Sequence, residues 1–543
     1  MPGGSVSSSE AAVCRQTELL AEGKDVNSIQ AGRRIFLGPL AQVRGGLDMS
    51  RRSIRVCVLV GLLSIFLCLQ SVIAGTLSSS HSNDEARIAR IENGLLPGIA
   101  IKGQPLPKLR LADRMKYYNV AGVSIAFFGD GKILWTRTYG YADIAEQKPV
   151  TPETLFQAGS ISKPTTTLAA LRLVQDGKLG LDEDVNSRLT EWAVPENEFT
   201  RVQKVTLRRL VSHTAGLNVH GFDGYASGEP VPTVLQVLNG EKPANTPPIR
   251  VETVPGTTWR YSGGGYTILQ LLLTETQHKP FPQILHDLVL RPAGMTHSTF
   301  QQPLPESRRA ESATPYRGDG KPVDGGFHTY PEMAAAGLWT TPSDLSLMAI
   351  EVQKEHAGES NKILSKEMAR QMLSPQKDHW GLGFAIGDPG PKLLFGHGGS
   401  DEGFESRLEA YTELGQGIAI MTNGARGDEL IREVLCAVAE EYGWPDFHPD
   451  EHVLAKIPPR LLSAYSGTYQ LPDGSKLVVR VKDGQAYLDG MTPDALALMP
   501  ESETNFFILT NQITFQFQTH AGAVTALTVY DGGEVRQATK LTK

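Results

Sequence analysis

Apolar and polar positions alternate with a period of two at both ends of a long central region, and with a helical period between them. AGVSIAFF (121–128) and ILWTRTYGYA (133–142) read as two strands joined through Gly129, Asp130 and Gly131, a hairpin signal. LRLADRMKYYN (109–119) before them reads as a helix. The amphipathic run Leu168 to Val174 continues a helix to about Gln175, with Asp176-Gly177 as its stop. TLRRLVSHTAGL (206–217) reads as another helix, and Thr341, Pro342 and Asp344 fit a capping box opening the helix DLSLMAIEVQ. Strand patterns return at WGLGFAIG, KLLFGHG, SRLEAYTEL and GIAIMTNG, before a closing helix at 428–441. By pattern alone this is a large domain of mixed α and β structure.

The texture changes after about residue 445. HPDEHVLAKIPP reads as a proline-bearing linker, and from 463 onward short alternating segments are separated by Asp-Gly turns at 473, 483 and 489. Such spacing predicts a small β-sandwich or barrel. The expected organisation is a leader (1–48), a signal segment (49–74), a linker (75–104), the main domain (105–443), a second linker (444–460) and an all-β domain (461–543).

Composition narrows the context. The 543 residues carry a formal charge of −7 with mixed signs, which gives no footprint for nucleic acid. Residues 52–74 form an apolar run behind Arg51 and Arg52 that ends in a cleavable pattern at Ala74. Met49 stands just before it, so translation is expected to start there, and export to the periplasm or medium follows. An uncleaved membrane anchor is the alternative, since about 18 apolar residues can span a bilayer. Cys14, Cys57 and Cys68 precede the cut, so Cys436 remains alone, without a disulfide partner, and reads as a buried small hydrophobe.

The chemistry concentrates in FQAGSISKPTT, where Ser160 and Lys163 stand three apart and share a helix face. A desolvated lysine can activate a serine hydroxyl. WRYSGGGYTILQ supplies Tyr261 and LLFGHGGSDEGF supplies His397, Gly398 and Gly399. In this order the three segments resemble the S-x-x-K, Y-x-N and K-x-G or H-x-G motifs of the serine β-lactamase and penicillin-binding protein superfamily, in its class C branch. LVSHTAGL, VPGTTWRYSGGGY, RPAGMTHSTF and AAAGLWTTPSDL extend the resemblance, which covers roughly 105–440.

The resemblance implies an antiparallel sheet flanked by helices, with a helical subdomain inserted, and the final segment resembles a β accessory domain appended to this family. It implies Ser160 as nucleophile, Lys163 as a buried proton acceptor or shuttle, and Tyr261 as general base, its phenol drawn toward phenolate by a cationic neighbour. His397 would bind substrate or tune Tyr261. Backbone N–H groups of Ser160 and Ser400 would hold the oxyanion, with Gly398 and Gly399 admitting the substrate backbone. Two departures stand out: Gly263 replaces the asparagine of Y-x-N, and the strand motif lacks a fixed cation. Both argue against efficient β-lactam hydrolysis.

His213 reads as structural, and Trp339 and Trp380 as equally suited to cleft or core. His297, His328 and His379 have no ligand spacing, and the glycines after Ser262 make no phosphate loop. The expected activity is hydrolysis of an ester or amide through an acyl-enzyme on Ser160, without metal or organic cofactor, on a small-molecule or peptidoglycan-like acyl substrate. A class C β-lactamase or DD-peptidase, or a penicillin-binding sensor with little turnover, remain open alternatives. The sequence assigns no oligomeric state.

Overall fold

Asp130 and Gly131 both take positive φ (53° and 70°), the geometry of a two-residue hairpin turn. They join β1 (Gly122–Gly129) to β2 (Lys132–Asp143), as the alternation predicts. The computed structural model describes residues 84–541 except 389, 391, 492–494, 511, 521 and 532–533. Of the two units into which the chain divides, Met1–Leu77 and Ser78–Lys543, only the second is described, so the expected leader and signal segments lie outside the described residues.

The hairpin extends into a seven-stranded antiparallel sheet. Its other strands are β3 (Lys148–Pro149), β4 (Ala385–Ile386), β5 (Leu394–Asp401), β6 (Phe404–Tyr411) and β7 (Gly417–Thr422), in the order β3-β2-β1-β7-β6-β5-β4. Strand β7 explains why GIAIMT is apolar throughout. Ile418 and Ile420 pack on one face of the sheet, while Ala419 and Met421 pack on the other. Helices cover both faces.

One helical layer comprises α1 (84–92), α2 (Leu111–Tyr118) and the closing helix α7 (Gly427–Tyr442). The opposite layer holds α3 (Ser162–Gln175), α4 (Leu207–Val211), α5 (Gly263–Gln277) and α6 (Pro342–Ala357), most of it inserted between β3 and β4. This is the β-lactamase/transpeptidase-like arrangement. Cys436 is buried in α7, and its thiol is pushed up to about 11 by burial.

Three local expectations need correction. The stretch expected to be a 75–104 linker carries α1, whose Ile88 and Ile91 are buried in the core, and a strand Ile99–Ile101. That strand pairs in parallel with Asp450–His452, within the second expected linker. The helix at 206–217 ends at Val211, because His213 and Gly216 take left-handed φ of 57° and 69°. The capping box at Thr341 is half formed. Thr341 Oγ1 accepts from Asp344 N at 3.1 Å, but Asp344 turns its carboxylate to His297 N and Ser298 Oγ instead.

The C-terminal segment is a closed eight-stranded antiparallel barrel. Its strands follow chain order: β8 (Gly467–Gln470), β9 (Lys476–Lys482), β10 (Gln485–Asp489), β11 (Leu496–Pro500), β12 (Asn505–Phe507), β13 (Thr514–His520), β14 (Ala523–Asp531) and β15 (Glu534–Lys540). Inward-facing side chains fill it. Phe517 stacks on Tyr465 (centroids 4.1 Å apart) and meets Phe506 edge-on at 5.2 Å. Phe517→Ala should therefore lower the barrel's stability by about 3–5 kcal/mol. Urea unfolding of the full chain measures this, and a loss below about 1 kcal/mol would contradict such packing.

Candidate active site

Ser160 stands in a single 3-10 turn, Gly159–Ile161, that leads into α3. Pro164 fits the first turn of that helix, where no backbone N–H is needed. The turn is fixed from three sides: Ala158 N donates to Leu338 O at 2.9 Å, Leu338 N donates to Ser162 Oγ at 3.0 Å, and Ser406 Oγ donates to Ala158 O at 2.9 Å.

One helical turn on, Lys163 is 2% exposed. Its Nζ donates to Ser160 Oγ at 2.8 Å and to Ala335 O at 3.0 Å. Burial pulls the amine down to about 7, against a smaller opposing pull from Asp401. Near neutral pH a large fraction is therefore uncharged. One N–H then rests on the Ala335 carbonyl while the lone pair is free for the serine proton.

Tyr261 precedes α5, with its hydroxyl beside the Ser160 side chain. Lys163 Nζ lies 5.0 Å from its ring centroid. The phenol sits in an aromatic cage: His213 stacks on it at 4.2 Å, His220 lies tilted against it at 4.8 Å, and Trp380 meets it edge-on at 5.9 Å. Burial raises its pKa, opposite to the phenolate expected from the sequence. It is a proton-bearing phenol.

His397 on β5 departs from expectation in the same way. Its Nδ1–H donates to Gly398 O, which fixes the tautomer, and burial holds the ring down to about 3. The imidazole is neutral, so its charge is not adjustable near pH 7. Its Nε2 is a buried acceptor with no hydrogen-bond partner among the described residues.

Strand β4 meets β5 at Phe395 and Gly396, so the β5 edge from His397 to Asp401 faces the serine turn. The fit is close. Gly159 takes φ of 50°, and a Cβ there would lie 2.5 Å from Ser400 N; at Gly399 a Cβ would lie 1.9 Å from Ala158 O. Gly399 is thus required by the close approach of the serine turn, and it also lines the cleft. Gly398 remains beside the cleft. The contact sets the backbone of Ser400 against that of the serine turn.

Gly263 also takes a different role. A Cβ there would meet the Phe222 ring at 2.9 Å and His220 O at 3.0 Å, while Gly263 N donates to His220 O at 2.8 Å. The loop 220–223 lines the cleft above it, occupying the space where an asparagine would project. Gly263→Asn is expected to displace that loop rather than restore an amide contact.

The cleft is about 940 Å³ and gathers Ser160, Lys163, Tyr261, His397, Gly398, Gly399 and Ser400. It also contains residues that the motifs did not single out. Asp401 is 6% exposed and couples electrostatically to Lys163, near the Gly159 N–H and the Tyr330 hydroxyl. Its signal was present in HGGSD, since His397, Gly399 and Asp401 alternate onto one face of β5. His213 accepts from Ser262 N at 3.1 Å through Nδ1, so its structural reading holds and gains a purpose in supporting Tyr261. Trp380 lines the cleft, whereas Trp339 is core. Asp531, at the end of β14, brings the barrel into the cleft wall, which no local pattern indicated.

The family model described as Beta-lactamase matches residues 109–438, and one described as a domain of unknown function matches 451–541. A penicillin-binding protein of Bacillus subtilis (strain 168) is 22% identical over 437 residues, covering 76% of this chain and 93% of its own. A putative penicillin-binding protein, PbpX, of the same organism is 24% identical over 394 residues, covering 69% and 92%. The octameric penicillin-binding protein homologue from Pyrococcus abyssi has a similar fold, with a TM-score of 0.56 and 22% identity, covering 79% of this chain and 98% of that one.

Proposed function

The chain belongs to the β-lactamase family, whose members are serine acyl hydrolases, and from that premise we propose that it is an exported hydrolase cleaving an ester or amide through an acyl-enzyme on Ser160. The observation that carries this reading is the position of the Ser160 hydroxyl, hydrogen-bonded to the Lys163 amine at 2.8 Å with the Tyr261 phenol beside it. The apolar run 52–74 supports export.

The neutral Lys163 amine takes the Ser160 proton as Oγ attacks the carbonyl carbon. The oxyanion is held by the backbone N–H groups of Ser160 and Ser400. The Tyr261 phenol hands its proton to the leaving group and is reprotonated from Lys163, which completes acylation. Water then attacks the ester, giving its proton to the same pair, and Ser160 is released with the free acid.

Tyr261→Phe should cut kcat about 100-fold while changing KM by less than about threefold, because it removes a proton carrier and leaves the ring in its cage. Steady-state kinetics decide this. An unchanged kcat would leave Lys163 as the sole proton carrier.

Full-length protein incubated with p-nitrophenyl esters, D-alanyl amides and nitrocefin, beside Ser160→Ala, tests the whole reading. Ester or amide turnover with little nitrocefin turnover supports it. A stable penicilloyl adduct without turnover would instead identify a penicillin sensor. Equal activity in Ser160→Ala refutes it.

A further inference from the structure

We infer that the acyl substrate carries a protonated amine, not a carboxylate, where it faces His397 and the barrel-side wall of the cleft. The inference rests on the acyl-enzyme reading above and extends it to the class of substrate. Two independent observations lead to it.

The first is His397 Nε2. Its ring partner Nδ1–H is committed to Gly398 O, so Nε2 can only accept, and it has no partner among the described residues. Leaving a buried acceptor unmet is unfavourable, and a ligand N–H placed there would satisfy it. A substrate carboxylate offers that nitrogen a second acceptor and is repelled.

The second is the charge of the wall. Asp223, Asp428 and Asp531 line the cleft with solvent access. The guanidinium beside them, Arg407, donates through Nε to Glu409 Oε1 at 2.6 Å and also feels the charge of Asp428, which leaves Asp223 and Asp531 as the carboxylates it does not offset. Asp531 is shared with Arg536 at 3.2 Å, which lies outside the lining. Arg407, Asp428 and Asp531 also line a second groove of about 300 Å³ between α7 and the barrel, so the cleft continues beneath the barrel. The barrel thereby takes part in selecting substrate.

Four matched p-nitroanilides of one amino acid test this in the full-length enzyme at pH 7: free α-amine, trimethylammonio, N-acetyl and N-succinyl. The free amine should exceed the N-succinyl compound at least tenfold in kcat/KM, with the other two between. His397→Lys, which puts a cation in the amine's place, should lower that ratio at least tenfold. Asp531→Lys, on the barrel surface, should lower it about threefold and serves if His397→Lys fails to fold, as judged by its Tm. A succinyl compound equal to or better than the free amine overturns the inference while leaving the acyl-enzyme intact. The inference also fails if the ratio is unmoved in every folded variant. Absence of turnover and of any Ser160 adduct with all four compounds, with p-nitrophenyl esters also unturned, would instead overturn the underlying reading.

Discussion

Ser160→Ala is expected to lose at least about 10⁴-fold in kcat while folding and melting as the parent does. Removing a nucleophile that acts as a unit with its proton acceptor eliminates the covalent route altogether, and the residual rate comes from binding and oxyanion contacts alone. The change is structurally mild. Alanine keeps the Cβ of the 3-10 turn, and the anchors at Ala158, Ser162 and Ser406 do not involve the Ser160 hydroxyl. The check is intact-mass spectrometry after incubation with an activated ester, alongside steady-state rates. A variant that still gained the acyl mass, or kept more than a hundredth of the parent rate, would place the nucleophile elsewhere.

Lys163→Met should lower kcat by about 10²–10⁴-fold, the usual contribution of a positioned proton acceptor. Methionine has nearly the volume of the buried stem, so loss of the amine is separated from loss of packing. The parent enzyme supplies the companion test. Only the uncharged amine can accept the serine proton, and the group titrates at about 7. Hence kcat/KM rises with pH through about 7, falling roughly tenfold for each unit below that value. In Lys163→Met this limb should vanish from the residual activity. Survival of the same limb in the variant would assign the titration to another group.

The residues that meet at Ser160 were legible because each lies in a short motif with its own local geometry: a helix start, a loop before a helix and a strand edge. What stayed hidden depended on neighbours remote in sequence. The cationic neighbour expected to ionise Tyr261 is outweighed by a cage assembled from His213, His220 and Trp380, and no local pattern reports that degree of burial. Gly263 looked like a lost contact, yet its meaning lies in Phe222, some forty residues earlier. His397 looked like a tunable charge until its hydrogen bond to Gly398 O and its burial were known. The fold was read in proportion to the strength of its periodicities. The sheet and the barrel strands carry clear alternation, whereas α1 is a short helix in a stretch taken as a linker. Its Ile88 and Ile91 become informative only once α2 and α7 are seen to cover them.

The parallel pairing of Ile99–Ile101 with Asp450–His452 places the first and last segments of the hydrolase domain side by side. A unit whose two ends adjoin can be cut open at a surface loop and rejoined across that seam, or carried inside a host polypeptide, without redrawing its interior.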